Sequence, residues 1–131
     1  MGNSKNILIV DDSQLVRAEL RAALEREGHV VAEAADGMAA LKVVNSQENL
    51  DLIISDQNMP LLDGLSLCQE VRKVDKFGGV PFVMMTTESS DRLKALGKQV
   101  GVHAWVVKPM DYVVLAKNID LLVKSWKSKT A

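Results

Sequence analysis

The sequence predicts a single α/β domain, with an open, doubly wound sheet of five parallel strands covered by helices on both faces. Three observations support this fold class. Short apolar runs alternate five times with longer segments of helical period, and no Pro/Gly/Ser-rich linker interrupts them. Most of the runs are apolar at nearly every position, as in strands buried on both faces. The length of 131 residues suits one domain, expected over residues 1–131 with its core at about 5–125.

Five apolar runs are the predicted strands. They are Ile7–Val10, Val30–Ala34, Leu52–Ser55, Phe82–Met85 and Trp105–Val107. Parallel neighbours need crossover connections, and these are right-handed almost without exception, so five such units form an open sheet. Ligands of such sheets bind beyond the carboxyl ends of the strands. The residues that follow each run are therefore the first candidates for function.

The helices are predicted from apolar residues three or four positions apart. The first is expected to begin near Ser13, whose hydroxyl can cap it, and to end at Gly28. His29 then follows on a turn as a solvated side chain. Four further helices are marked by Met38, Leu41 and Val44, by Leu67, Cys68 and Val71, by Leu93, Leu96 and Val100, and by Leu115, Ile119 and Leu122.

Composition and charge exclude several classes of protein. The net charge of −1 does not suit a nucleic-acid binder, although residues 91–131 are net basic and residues 1–90 net acidic. No apolar run approaches the roughly 20 residues that span a bilayer, so we expect no membrane insertion. Met1–Asn6 is too short and polar for a signal peptide. The single cysteine, Cys68, excludes an internal disulfide and favours a reducing, cytoplasmic location.

Polar residues stand at the ends of four of the predicted strands. Asp11 and Asp12 follow the first strand, Asp56 follows the third, Thr86 follows the fourth and Lys108 follows the fifth. Three carboxylates in one crevice repel each other, and a divalent cation relieves that repulsion. A ligand set of oxygen atoms alone suits Mg²⁺ better than Zn²⁺. The sequence therefore predicts a magnesium site, with Asp12 and Asp56 as its direct ligands.

Together these residues predict a phosphoryl-transfer site. Asp56 supplies a carboxylate nucleophile, Thr86 a hydroxyl donor, and Lys108 a fixed cation for the charge on the phosphoryl oxygens. Any one of them alone is more often a helix cap, a solvated turn or a surface charge. Their joint occurrence at four strand ends is what favours the chemistry.

The chain resembles the response-regulator receiver domain family in the order and spacing of five motifs. These are Asp11-Asp12, Ser55-Asp56-Gln57-Asn58-Met59-Pro60, Asp63-Gly64, Thr86 and Lys108-Pro109. The resemblance spans essentially the whole chain and points to stand-alone, CheY-like receivers. It implies a flavodoxin-like sheet with strand order 2-1-3-4-5 and five helices.

The resemblance also implies how the site is used. A sensor histidine kinase would phosphorylate Asp56, while Asp12 and the backbone carbonyl of Asn58 would help to hold Mg²⁺. Asp11 would support the metal through water. Lys108 would contact the phosphoryl group, and its bond to the following proline would be cis.

The same resemblance implies a switch and an output surface. Thr86 would move toward the phosphoryl group and let the aromatic side chain of Trp105 swing inward. Trp105 stands where Tyr or Phe is more frequent in the family. The fourth helix, fifth strand and fifth helix would form the face that binds a downstream target. We expect a monomer, and Lys94, Lys98 and Lys117 favour an acidic partner.

Several functions stay open at this point. The leading one is a chemotaxis-type response regulator, a signalling protein that catalyses only its own phosphorylation and slow autodephosphorylation. A phosphorelay intermediate, which passes phosphate to a histidine phosphotransfer protein, is the alternative. A haloacid-dehalogenase-like phosphatase is less favoured, because it needs Asp-x-Asp after the first strand and Asp11-Asp12-Ser13 lacks the second Asp.

Overall fold

The sheet has the predicted topology. The computed structural model describes residues 4–130, with side chains described for residues 4–126. Its strands are β1 (Asn6–Val10), β2 (Val30–Ala34), β3 (Leu52–Ser55), β4 (Phe82–Thr86) and β5 (Ala104–Val107). All neighbouring pairs are parallel, and the order is β2-β1-β3-β4-β5. The predicted strand order is therefore confirmed, and each predicted strand lies within one residue of its observed bounds.

Alternate residues of the central strands divide the interior into two cores. Leu8 and Val10 of β1 belong to the core on one face of the sheet, and Ile7 and Ile9 belong to the core on the other. The strands β1, β3 and β4 are almost fully buried, as their uninterrupted apolar character predicts. The edge strand β5 departs from that expectation, because its residues are only half-buried and Val107 is exposed.

Six helices cover the two faces of the sheet. They are α1 (Gln14–Arg26), α2 (Gly37–Ser46), α3 (Gly64–Arg72), α4 (Asp91–Val100), α5 (Tyr112–Lys117) and α6 (Ile119–Thr130). The predicted cap is confirmed, since the Ser13 hydroxyl accepts a hydrogen bond from the N–H of Val16 at 3.2 Å. The first helix ends at Arg26, and Gly28 follows with a positive φ of 90°. Among residues 4–130, no helix is both long and apolar enough to cross a membrane.

The predicted fifth helix is divided in two at Asn118, so residues 4–130 form six helices rather than five. The Asn118 side chain donates to the carbonyl of Val114 at 2.8 Å, and its backbone N–H donates to Leu115 at 3.0 Å. An asparagine that bonds to nearby backbone carbonyls competes with the helical hydrogen-bond pattern. Leu115 and Ile119 nevertheless face the same core, which explains why their spacing suggested one continuous helix.

The prediction of a solvated His29 is wrong. This side chain is only 8% exposed, and its Nδ1 accepts a hydrogen bond from the backbone N–H of Lys5 at 3.0 Å. Burial lowers the pKa of the imidazole below its ordinary value. The N-terminal segment before β1 therefore covers a residue that local sequence places on an open turn.

Leu61, in the loop between β3 and α3, has a left-handed backbone conformation. Its φ is 72°, and its side chain is 79% exposed. A branched residue in this region costs about 1 kcal/mol relative to glycine. The loop is therefore strained at Leu61, and the exposed side chain makes little packing that would offset this strain.

We expect Leu61→Gly to raise the free energy of unfolding by about 1 kcal/mol, because glycine adopts positive φ without steric cost. Urea denaturation measures this change. Leu15→Gly is the matched control, since Leu15 is also exposed but lies in α1, where glycine is expected to lower the stability by up to about 1 kcal/mol. Destabilisation by both variants would contradict the strain at Leu61.

Candidate functional site

The carboxyl ends of three strands bring the predicted charged residues together. Asp11 and Asp12 follow β1, Asp56 follows β3, and Lys108 follows β5. One oxygen from each of the three carboxylates lies within 4.8 Å of the other two. The strand order explains this placement, because β1 and β3 are direct neighbours in the sheet.

Asp56 is held in a fixed orientation at the floor of the site. It is 9% exposed, and its backbone N–H donates to the carbonyl of Val10 at 2.9 Å. Its Oδ1 accepts the backbone N–H of Gln57 at 2.7 Å and, at 3.4 Å, that of Asn58. Gly64, the first residue of α3, lets that helix approach, because a Cβ there would collide with the Asp56 carbonyl oxygen. The carboxylate is thus oriented by backbone groups.

Lys108 provides the positive charge of the site. Its Nζ lies 2.6 Å from Asp11 Oδ2 and 3.2 Å from Asp56 Oδ2. Its peptide bond to Pro109 is cis, as the resemblance implies. Burial of the ammonium group opposes its charged form, but the hydrogen bonds and charges of Asp11 and Asp56 outweigh burial and raise the pKa of Lys108. Lys108 therefore remains a cation over the physiological pH range.

The two acidic residues after β1 differ in their surroundings. Asp11 is buried; its Oδ1 accepts the N–H of Ser13 at 2.9 Å, and its Oδ2 accepts from Lys108. Asp12 is exposed at the rim of the site. Of these two carboxylates, that of Asp12 is therefore the more accessible to a ligand from solvent.

Arg17 supports this pair in a way that sequence analysis missed. Its Nη1 donates to the backbone carbonyl of Asp11 at 2.6 Å, and its Nε contacts Glu33 of β2 at 3.0 Å. The only sequence signal for this role of Arg17 is its position in the first turns of α1. An arginine at such a position is common on a solvent-exposed helix face, so the signal is not specific. Only the folded geometry shows that it holds the β1–α1 loop.

The carboxylate group fits a hard divalent cation. The three converging residues offer oxygen atoms alone, and one of them, Asp12, is open to solvent. Such a site suits Mg²⁺, which binds few protein ligands and retains several waters. The chemistry of the donors thus agrees with the expectation from the sequence.

Thr86 and Asn58 both contact Glu88, which lies in the loop between β4 and α4. Thr86 is fully buried at the end of β4, and its Oγ1 accepts the backbone N–H of Glu88 at 3.3 Å. The Asn58 Nδ2 donates to the Glu88 carboxylate at 2.9 Å. The hydroxyl oxygen of Thr86 therefore faces the loop that follows its own strand.

Trp105 lies in the middle of β5 with its indole turned toward the same loop. Its Nε1 donates to the carbonyl of Glu88 at 2.7 Å. Its ring packs on α4 at Gly97, where an added Cβ would lie 3.1 Å from Cζ3. Trp105, which the resemblance expects to swing inward on phosphorylation, is half-buried and hydrogen-bonded in this structure.

A basic and apolar surface surrounds Trp105. Lys94 and Lys98 of α4 line a cavity of about 170 Å³ beside its ring. Exposed apolar side chains continue this surface over the neighbouring elements; they are Val107, Val113, Val114 and Leu121. The fourth helix, fifth strand and fifth helix, with α6 added, therefore present both charge and apolar area to solvent.

Comparison with known proteins gives consistent results. The family model of the response regulator receiver domain matches residues 7–120. A chemotaxis protein CheY homologue of Campylobacter jejuni is 34% identical over 115 residues, which are 87% of this chain and 88% of that protein. The structure of the chemotaxis response regulator CheY4 of Vibrio cholerae is 36% identical with a TM-score of 0.84, covering 92% of this chain and 99% of that one.

A second similar structure bears on the metal. It is the receiver domain of the sensor histidine kinase PA1611 of Pseudomonas aeruginosa, with a magnesium ion coordinated in its active-site cleft. It is 26% identical, has a TM-score of 0.81, and covers 92% of this chain and 98% of that one. The carboxylate cluster described above lies on a fold of the same kind.

We expect Lys108→Met to lower the free energy of unfolding by about 3 kcal/mol at pH 7, because it leaves the carboxylates of Asp11 and Asp56 without their cation. Urea denaturation without divalent cations measures the loss. Lys73→Met, which removes an exposed ion pair with Glu70, is the control and should change stability by less than about 0.5 kcal/mol. Equal effects of the two variants would show that Lys108 does not compensate the buried charges.

Proposed function

Because this chain belongs to the response regulator receiver domain family, we propose that Asp56 is the residue that accepts a phosphoryl group from a sensor histidine kinase. The protein is a phospho-accepting response regulator of the chemotaxis type. The observation that carries the assignment of Asp56 is its position. Its carboxylate is oriented by the Gln57 N–H, lies next to the Lys108 ammonium, and converges with the acidic pair of β1.

The proposed reaction is a transfer between two side chains. A carboxylate oxygen of Asp56 forms a bond to phosphorus as the bond from phosphorus to the kinase histidine nitrogen breaks, and that nitrogen keeps the electron pair. Lys108 already lies 3.2 Å from the carboxylate, so its charge is available to the phosphoryl oxygens without a large rearrangement. The Thr86 hydroxyl would reorient from the Glu88 N–H toward the same oxygens.

We assign the metal to the carboxylates of Asp12 and Asp56 and the backbone carbonyl of Asn58. Asp11 would act through a water, as the resemblance in sequence implies. When bound, Mg²⁺ supplies positive charge that stabilises the phosphoryl oxygens during transfer. The exposure of Asp12 supports its role as a direct ligand.

Receivers of this family act between histidine kinases and downstream targets, and we propose that this one acts as a monomeric effector. Its target would bind the face formed by α4, β5, α5 and α6, where Lys94, Lys98 and Lys117 favour an acidic partner. The effector role is preferred to that of a phosphorelay intermediate because the chemotaxis relatives match over most of their own length. The single, buried Cys68 forms no disulfide within the chain, which supports the proposed cytoplasmic location.

Incubation with acetyl phosphate and Mg²⁺ is expected to add one labile phosphate per molecule, and Asp56→Asn should abolish that addition, because an amide is not a nucleophile for phosphorus. Intact-mass measurement detects the change. Asp75→Asn, at an exposed aspartate outside the site, is the control and should be labelled like the wild type. Equal labelling of Asp56→Asn and the wild type would refute the proposed phosphoacceptor.

Asp12→Asn is expected to abolish Mg²⁺-dependent phosphorylation while raising, or at least not lowering, the Tm of the metal-free protein. Replacing this carboxylate removes both a proposed ligand and the repulsion from its two neighbours. Mass measurement and thermal unfolding test the two halves separately. A lower Tm together with normal labelling would instead identify a structural aspartate.

A further inference from the structure

The side chain of Asp12, a proposed metal ligand, is not held in place by the protein. Among residues 4–126, no hydrogen bond or ion pair fixes its carboxylate, which is exposed at the rim of the site. The carboxylate of Asp11, in contrast, is bonded at both of its oxygens, by Ser13 and Lys108. The direction of the Asp12 carboxylate therefore depends on the backbone before it, above all on the peptide group between Asp11 and Asp12.

The backbone of Asp11 is bonded to β2 on one side and to α1 on the other. Its N–H donates to the carbonyl of Ala34 at 3.1 Å. Its carbonyl, which belongs to the peptide group that leads to Asp12, accepts from Arg17 Nη1 at 2.6 Å. The Arg17 side chain is only 16% exposed, so this bond is largely covered by the protein. Arg17 thus fixes the peptide group on which the direction of Asp12 depends.

Glu33 of β2 fixes the Arg17 guanidinium in turn. Its Oε1 accepts from Arg17 Nε at 3.0 Å, and its Oε2 accepts from Arg21. The hydrogen bonds from Arg21 and Arg17 lower the pKa of Glu33 despite its partial burial, so this residue is a carboxylate at neutral pH. A planar guanidinium bonded at Nε and at Nη1 has a fixed orientation, which a single ammonium group does not impose.

We propose that Arg17 is a positioning residue for the metal, which aims the Asp12 carboxylate into the site through the Asp11 carbonyl and so raises the affinity for Mg²⁺. This inference rests on the proposed assignment of the metal to Asp12 and Asp56. Groups that orient a metal ligand without touching the metal typically change metal affinity by about 10–100-fold. Because Arg17 acts on the backbone rather than on the carboxylate itself, we expect an effect of about tenfold.

The charge of Arg17 and its hydrogen bond predict effects of opposite sign. A guanidinium near a cation site repels the cation, so removal of this charge by itself would strengthen Mg²⁺ binding. Removal of the hydrogen bond to the Asp11 carbonyl would weaken Mg²⁺ binding instead. The sign of the change in affinity therefore distinguishes a positioning role from a purely electrostatic one.

Titration of the full chain with MgCl₂, followed by nitrogen–proton correlation NMR, measures this affinity without any phosphorylation. Arg17→Met removes both bonds of the guanidinium and is expected to raise the Kd for Mg²⁺ about tenfold. The same spectra show that the fold is retained if the signals of residues far from the site keep their positions. An unchanged or lower Kd for Arg17→Met would overturn the proposal.

Arg21→Met is the matched control. It removes the same charge and a bond to the same Glu33 carboxylate, but the Arg21 side chain bonds only to Glu33 and Glu25. Its Kd for Mg²⁺ should stay within about twofold of the wild-type value, because salt largely screens an exposed charge. A rise equal to that of Arg17→Met would mean that the bond to the Asp11 carbonyl is not responsible, and the proposal would fail.

Arg17→Lys tests whether the geometry of the guanidinium is required. Lysine keeps the positive charge, but one ammonium group cannot hold a fixed fork between the Glu33 carboxylate and the Asp11 carbonyl. The Kd for Mg²⁺ should therefore stay as high as in Arg17→Met. A lysine variant that binds Mg²⁺ as tightly as the wild type would contradict the proposed role of the fork.

A double-mutant cycle tests the contribution of Glu33. Glu33→Ala should weaken Mg²⁺ binding in the wild-type background, because it releases the Arg17 guanidinium and also removes a negative charge. In the Arg17→Met background only the loss of charge remains, so the effect of Glu33→Ala should be clearly smaller. Equal effects in the two backgrounds would show that Glu33 does not act through Arg17, and this route would be wrong.

Phosphorylation by acetyl phosphate gives a second readout of the positioning role. Arg17→Met should need about tenfold more Mg²⁺ for the half-maximal rate but reach the wild-type rate at saturating Mg²⁺. A rate that stays low at saturating Mg²⁺ would indicate a general structural defect and would overturn the proposal. A wild-type protein that binds no Mg²⁺ refutes the proposed metal site, whereas one that binds Mg²⁺ with the same Kd as Arg17→Met refutes only this inference.

Discussion

The ion pairs of Lys108 with Asp11 and Asp56 are the interaction on which the rest of the site depends. Adjacent parallel strands place the two carboxylates side by side, and their repulsion must be compensated. The compensating cation comes from β5, which is two strands away from β3 and thus about 10 Å distant. A long side chain is needed to cross that distance, and the Lys108 ammonium reaches both oxygens.

Much of the fold could be predicted because its signals are local. The apolar runs located all five strands, and Ser13 located the start of α1. The exposure of β5 could not be predicted in this way, since a run of apolar residues does not reveal whether its strand is central or at an edge. The burial of His29 was missed for a similar reason, because its cover comes from a segment distant in sequence.

In the candidate site, too, the residues could be predicted from local sequence, whereas the contacts between elements could not. Residue type and strand-end position were enough to single out Asp56 and Lys108, and the structure brings them together. The contacts of Arg17 with the Asp11 carbonyl and of Trp105 with the Glu88 carbonyl were not predictable. In each case a side chain bonds to the backbone of another element, and no residue type marks the accepting carbonyl.

Gly97 has a consequence for the local stability of α4. A glycine inside a helix disfavours that helix by about 1 kcal/mol relative to alanine, and Gly97 is the one buried residue of α4, beneath the Trp105 ring. The other apolar side chains of α4, such as Val100, are at most half-buried, so the Trp105 ring covers the one buried position of this helix. Segments with little buried apolar area open locally at low free-energy cost. Within the proposed target-binding face, we therefore expect α4 to open locally more readily than the helices with larger buried faces.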